Sequence, residues 1–145
     1  MKHVLDASAI AIILKRLKGE AIDVLEENII LDLTFYELGN MIWKESTLRN
    51  LISPEEGINK AWQLARTLEV TEKAKIRSAE DFKKAMKLAT ELGLTFYDAS
   101  YLQAAKKRNL PLVTEDRELK DKARKAGVKA VSVSEFLKQA KAKQA

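Results

Sequence analysis

Four acidic residues sit where a carboxylate does more than solvate a surface: Asp6 in "VLDAS", Glu37 in "TFYELGN", Asp98 in "TFYDASY" and Asp116 in "LVTEDREL". Asp6 and Asp116 follow short apolar runs; Glu37 and Asp98 open amphipathic stretches after the same Thr-Phe-Tyr lead-in. Carboxylates gathered where water is partly excluded repel one another strongly. They must then bind protons or cations. Oxygen donors without Cys or His suit Mg²⁺ or Mn²⁺ rather than Zn²⁺. Such ions are suited to displacement at a phosphodiester, where they lower the pKa of a bound water and stabilise the attacking and leaving oxygens. The chain has no cysteine and one histidine, His3. A cysteine nucleophile, a thiolate zinc site, a Ser-His-Asp triad and a two-histidine nuclease are therefore excluded.

Whether the acids meet depends on the elements that carry them. Short apolar runs predict strands over "KHVLD", "IILDL", "LPLVTED" and "VKAVSV", with a weaker one in "EVTEKAKI". Helical periodicity covers Ser8 to Leu17, "EAIDVLEEN", "TFYELGNMIWKESTLRN", "SPEEGINKAWQLARTL", "SAEDFKKAMKLATELG", "TFYDASYLQAAKKRN", "RELKDKARKAG" and "SEFLKQAKAKQA". Ser53 as cap with Pro54 at the first helical position is a strong start signal. Strands alternating with helices imply an α/β three-layer sandwich, a parallel sheet covered on both faces. The 145 residues make one domain, with fraying expected over residues 138–145. In such a fold, strand C-termini and the N-termini of following helices share one edge, where ligands bind. That edge would collect all four acids.

Each acid also has a purely structural reading. Thr34 with Glu37 fits the capping-box pattern, and Thr95 with Asp98 a shorter version of it. Asp6 or Ser8 could cap the first helix, and Asp116, helped by Thr114, the helix after it. Each cap would contribute about 1 kcal/mol.

The net charge of +5 and pI near 9.3 permit attraction to phosphates without requiring it. No apolar run reaches membrane-spanning length, and Asp6 interrupts what would have to be a signal's apolar region. The expected location is cytoplasmic.

Taken in order, "VLDAS", "FYELGN", "TFYDASYL" and "LVTEDRELKDKA" resemble the signature segments of the PIN domain family, and most closely its small VapC-type toxins. The resemblance spans nearly the whole chain. It implies a sheet of order 3-2-1-4-5 and a Mg²⁺- or Mn²⁺-dependent endoribonuclease, with Asp6, Glu37, Asp98 and Asp116 as metal ligands and catalytic residues. Ser8 and Thr114 match small hydroxyl positions beside the cleft, and Asn40 a polar position one helical turn after Glu37. The implied partners are an RNA substrate, a VapB-like antitoxin and a second copy of the chain in a homodimer.

Basic clusters at Lys15, at Lys106, Lys107 and Arg108, and at Arg117 are either solvated helix faces or holds for RNA phosphates. Trp43 and Trp62, with Met41, Ile42, Leu48, Leu51, Ile52 and Leu64, read as core or as a partner-binding surface. Two other functions compete with the nuclease. One is a non-catalytic binding module of the same fold. The other is a phosphoryl-accepting signalling domain, which wants paired acids at the first strand, where only Asp6 stands.

Overall fold

The computed structural model describes residues 1–144. The chain runs β1 (Val4–Leu5), α1 (Ala7–Leu17), a 3-10 turn (Lys18–Glu20), α2 (Ala21–Glu26), β2 (Ile29–Leu31), α3 (Asp32–Trp43), a π-helical turn (Lys44–Leu48), α4 (Pro54–Leu68), β3 (Glu72–Ala74), α5 (Ala79–Leu92), α6 (Phe96–Arg108), β4 (Leu112–Val113), α7 (Arg117–Lys125), β5 (Ala130–Val131) and α8 (Val133–Gln144). The expected fraying falls partly on Ala145, outside the described residues. No helix among those described is long and apolar enough to cross a membrane.

All pairings are parallel, in the order β3-β2-β1-β4-β5. The topology is the expected one, including the weakly marked third strand. The strands are uniformly apolar because both faces are covered, and alternate residues point to opposite sides. Val4, Ile29, Leu31 and Leu112 pack under α5, α6 and α7 with Tyr101, Leu102 and Leu119. Leu5, Ile30, Val113 and Val131 pack on the other face with Ile10, Ile13, Leu25, Leu38 and Phe136. His3, at the start of β1, is buried edge-on against Phe136 at 4.8 Å, at the sheet edge opposite Asp6.

The predicted "IILDL" strand is shorter than expected, and α3 begins two residues before Thr34. Thr34 is therefore not the cap residue, and the predicted box with Glu37 does not form. Instead Thr34 sits inside the first turn and its Oγ1 accepts the Leu31 N–H at 3.1 Å. The matching Thr95 does cap its helix, accepting the Asp98 N–H at 3.1 Å. The predicted box at Ser53 and Glu56 is present, each side chain accepting the other's backbone N–H at 3.1 Å.

The hairpin of α3 and α4 divides the apolar residues that surround its tryptophans. Ile42 is buried, whereas Trp43, Leu48, Leu51 and Trp62 lie between 48% and 68% exposed. α4 packs on α3 and reaches the core through Leu64 and Leu68, leaving the tryptophans on the outer surface of the hairpin.

Candidate active site

Asp6 stands where β1 gives way to α1, with a backbone still extended at φ −84° and ψ 175°. Its side chain caps α1, Oδ1 accepting the Ala9 N–H at 2.9 Å. The structural reading was correct, yet it describes only half of the residue's contacts. Ser8 Oγ donates to the same oxygen at 2.7 Å, and Thr114 Oγ1 donates to Oδ2 through a short hydrogen bond. Both hydroxyls also accept a backbone N–H from the loop after β4. Ser8 takes that of Glu115 at 3.1 Å and Thr114 that of Asp116 at 3.0 Å. Adjacent strand ends are thereby tied around one buried carboxylate.

Asp116 caps α7, Oδ1 accepting the Leu119 N–H at 3.1 Å. Asp98 lies on the first turn of α6, half-buried, its N–H donated to the Thr95 cap. Glu37 projects from α3, and its Oε1 accepts the Tyr101 hydroxyl at 2.7 Å.

The four acids share one electrostatic environment. Burial pushes the Asp6 carboxyl above its usual range; hydrogen bonds from Thr114, Ser8 and Ala9 pull it back, and the Asp116 charge pushes it further up. Burial also raises Glu37, opposed by the Tyr101 hydroxyl and reinforced by Asp6 and Asp98. Asp98 is raised by burial and by the charges of Asp116, Asp6 and Glu118. Repulsion of this kind places the carboxylates within Coulombic reach of one another. Among the described residues, no ion pair reaches any of the four. Nor do three acidic or histidine side chains there close into a ready coordination shell. The arrangement is an acidic cleft rather than a cage.

The other expected residues divide. Ser8 and Thr114 join the cleft. Asn40 is exposed, one turn beyond Glu37. Arg117 is exposed beside Asp116. Lys106, Lys107 and Arg108 end α6, so an axial rise of ~1.5 Å per residue sets them ~12–15 Å from Asp98, at the opposite sheet edge. Lys107 there pairs with Asp81 at 2.7 Å and ties α6 to α5. Lys15 is similarly far along α1 and borders the groove between α1, α3 and α4.

Three site residues escaped the sequence reading. Tyr101 holds Glu37. Glu118 adds a fifth negative charge near Asp98 and pairs with Lys122. Glu115 accepts the Val133 N–H at 2.9 Å and anchors the loop after β4 to the start of α8. Only Tyr101 carried a signal, since it lies three residues after Asp98, on the same helical face.

Comparison with known proteins agrees with this fold. The chain is 35% identical over 130 residues to ribonuclease VapC3 of Pyrobaculum aerophilum, covering 84% of this chain and 95% of that one. It is 38% identical over 103 residues to exonuclease VapC9 of the same organism, covering 70% and 71%. Among solved structures it superposes on PAE2754 of Pyrobaculum aerophilum with a TM-score of 0.81 at 32% identity, over 98% of this chain and 96% of that one. FitAcB of Neisseria gonorrhoeae shares the fold at a TM-score of 0.63 and 15% identity, over 92% and 98%. With residues 3–125 matching the PIN domain, the chain belongs to the PIN domain family.

Proposed function

We propose that this protein is a divalent-metal-dependent endoribonuclease of the VapC toxin type. The observation that carries the reading is the acid cluster itself: four carboxylates from four separate elements within Coulombic reach of one another, Asp6, Glu37 and Asp98 raised by burial, and none with a basic ion-pair partner among the described residues. Relatives named ribonuclease and exonuclease VapC support the same chemistry.

The residues fit a hard cation. Every donor in the cleft is an oxygen, as Mg²⁺ and Mn²⁺ prefer, and Mg²⁺ keeps several waters and needs only one or two direct carboxylates. An open acidic cleft meets that requirement without a closed cage. When bound, the cation would supply the positive charge that offsets a phosphodiester's negative charge and acidifies a water. Asp6, Glu37, Asp98 and Asp116 would hold it. Ser8 and Thr114 fix Asp6, and their donated hydrogen bonds favour its ionised form. Arg117, at the rim beside Asp116, would meet substrate phosphates.

The exposed hairpin surface with Trp43 and Trp62 supports a protein partner, a VapB-like antitoxin or a second copy of the chain, because isolated large apolar patches mark interaction sites. The binding-module alternative needs no cation. The decisive experiment is cleavage of linear and circular RNA with Mg²⁺ or Mn²⁺ by native protein and by Asp98→Asn. Native protein alone should cut both substrates. Equal cleavage by the variant rejects the site, and cutting of linear RNA only would reassign the enzyme as an exonuclease.

A further inference from the structure

Tyr101 is only 1% exposed, and its hydroxyl lies between two partners: Thr34 Oγ1 at 2.8 Å and Glu37 Oε1 at 2.7 Å. The direction of this chain follows from counting protons. A hydroxyl has one to donate. The Tyr101 proton goes to the carboxylate, so the Thr34 proton goes to the Tyr101 oxygen. Thr34, fully buried, in turn accepts the Leu31 N–H at 3.1 Å. A backbone N–H, two buried hydroxyls and a carboxylate thus form one polarised line, each link strengthening the next. Burial raises the Tyr101 phenol above the ordinary tyrosine range.

The line has a geometric consequence. Tyr101 lies one helical turn after Asp98 on α6, whereas Glu37 lies on α3. A free glutamate side chain samples several rotamers, and fixing one costs conformational entropy. The phenol holds Glu37 from the same helix that carries Asp98. The Tyr101 hydrogen bond is made to Oε1 of Glu37.

We propose that Tyr101, oriented by Thr34, is a positioning residue that holds the Glu37 carboxylate in register with Asp98 for a divalent cation. The proposal rests on the metal-site reading above. It assigns Tyr101 no contact with substrate.

The test is Mn²⁺ binding to the full chain by calorimetry, without RNA, for native protein, Tyr101→Phe, Glu37→Gln and the double variant. Tyr101→Phe keeps the ring and should weaken Mn²⁺ binding by about 10–100-fold, the usual effect of groups that orient a ligand. In the Glu37→Gln background the same change should cost nothing further, because the phenol acts through Glu37. A structural role would give equal losses in both backgrounds and overturn the proposal. So would unchanged affinity in Tyr101→Phe when Glu37→Gln binds weakly, which leaves the metal site standing. Unchanged affinity in Glu37→Gln would reject Glu37 as a ligand, and the positioning role with it. If Tyr101→Phe does not fold, Thr34→Val should give a several-fold loss that again requires Glu37; a loss independent of Glu37 overturns the proposal.

Discussion

Thr114, at the end of β4, donates its hydroxyl proton to Asp6 Oδ2 at the end of β1 while accepting the Asp116 N–H. One buried oxygen atom thus links the first and fourth acids across neighbouring parallel strands. Thr114→Val removes both bonds while preserving shape. The expected cost is about 1–3 kcal/mol, because a buried carboxylate and a backbone N–H lose a partner. Thermal unfolding of the metal-free protein should fall by several degrees, and Mn²⁺ affinity by about 10–100-fold. Thr114→Ser should restore most of both. A valine variant with native Mn²⁺ affinity would remove Thr114 from the site.

Asp98→Asn should have opposite effects on activity and on stability. Cleavage of RNA should fall by more than about 100-fold, beyond the range for groups that only orient a ligand. The metal-free protein should become more heat-stable near neutral pH, since one of several repelling, desolvated charges is removed. Differential scanning calorimetry without metal reads this directly, and a lower unfolding temperature would contradict it.

That stabilisation should depend on pH. Asp6, Glu37 and Asp98 all have carboxyls raised in the folded protein. The folded state therefore binds more protons than the unfolded chain at pH values just above the ordinary carboxylate range. For a raised acid, stability is fully present below the unfolded value and is lost as pH rises through the folded one. The gap in unfolding temperature between Asp98→Asn and native protein should be small near pH 4 and widen towards pH 7. Saturating Mn²⁺ should stabilise native protein more than the variant, because binding to the folded state alone adds stability by mass action.

The basic residues should separate by location. Arg117 adjoins Asp116, whereas Lys106, Lys107 and Arg108 end α6 at the far edge. Arg117→Ala should weaken RNA binding and make the dependence of affinity on salt shallower by about one ion. Replacing Lys106 and Arg108 with alanine should leave that slope unchanged. Fluorescence anisotropy across a salt series with a labelled RNA distinguishes them, and a steeper contribution from the α6 end would relocate the phosphate track.

The repeated Thr-Phe-Tyr offers a direct comparison of two local roles. Thr95→Ala removes a helix cap and should cost about 0.5–2 kcal/mol, with little change in Mn²⁺ affinity. Thr34→Ala strikes a buried relay to Glu37 and should lower both stability and affinity. Urea unfolding and calorimetry on the pair check this, and identical behaviour would mean the two threonines do the same work.

The alternation of apolar runs and helical patterns determined the sheet, because a strand buried on both faces and a helix buried on one leave different periodicities in the chain. Caps at Ser53 and Thr95 were legible for the same reason: they depend on neighbours a few residues away. Asp6, Asp98 and Asp116 could be named because each sits at a strand end or helix start, whereas Glu37 lies in the second turn of α3, which begins earlier than its local sequence suggests. What no local pattern could decide was how α3 begins. Two turns with the same three residues diverge because Leu31, held in the sheet beside β3, presents its N–H to Thr34, while Thr95 follows the C-terminal cap of α5, where the Leu94 N–H is already bonded to Ala89 O. Tyr101 escaped for a related reason. Its hydroxyl meets Glu37 across 64 residues of sequence, and only the packing of α6 beside α3 sets that distance. Lys106 to Arg108 share α6 with Asp98, but the length of the helix carries them to the opposite edge of the sheet. Short-range hydrogen bonding and hydrophobic period are written along the chain; which polar atoms become partners across elements is fixed only when the sheet closes and removes water from between them.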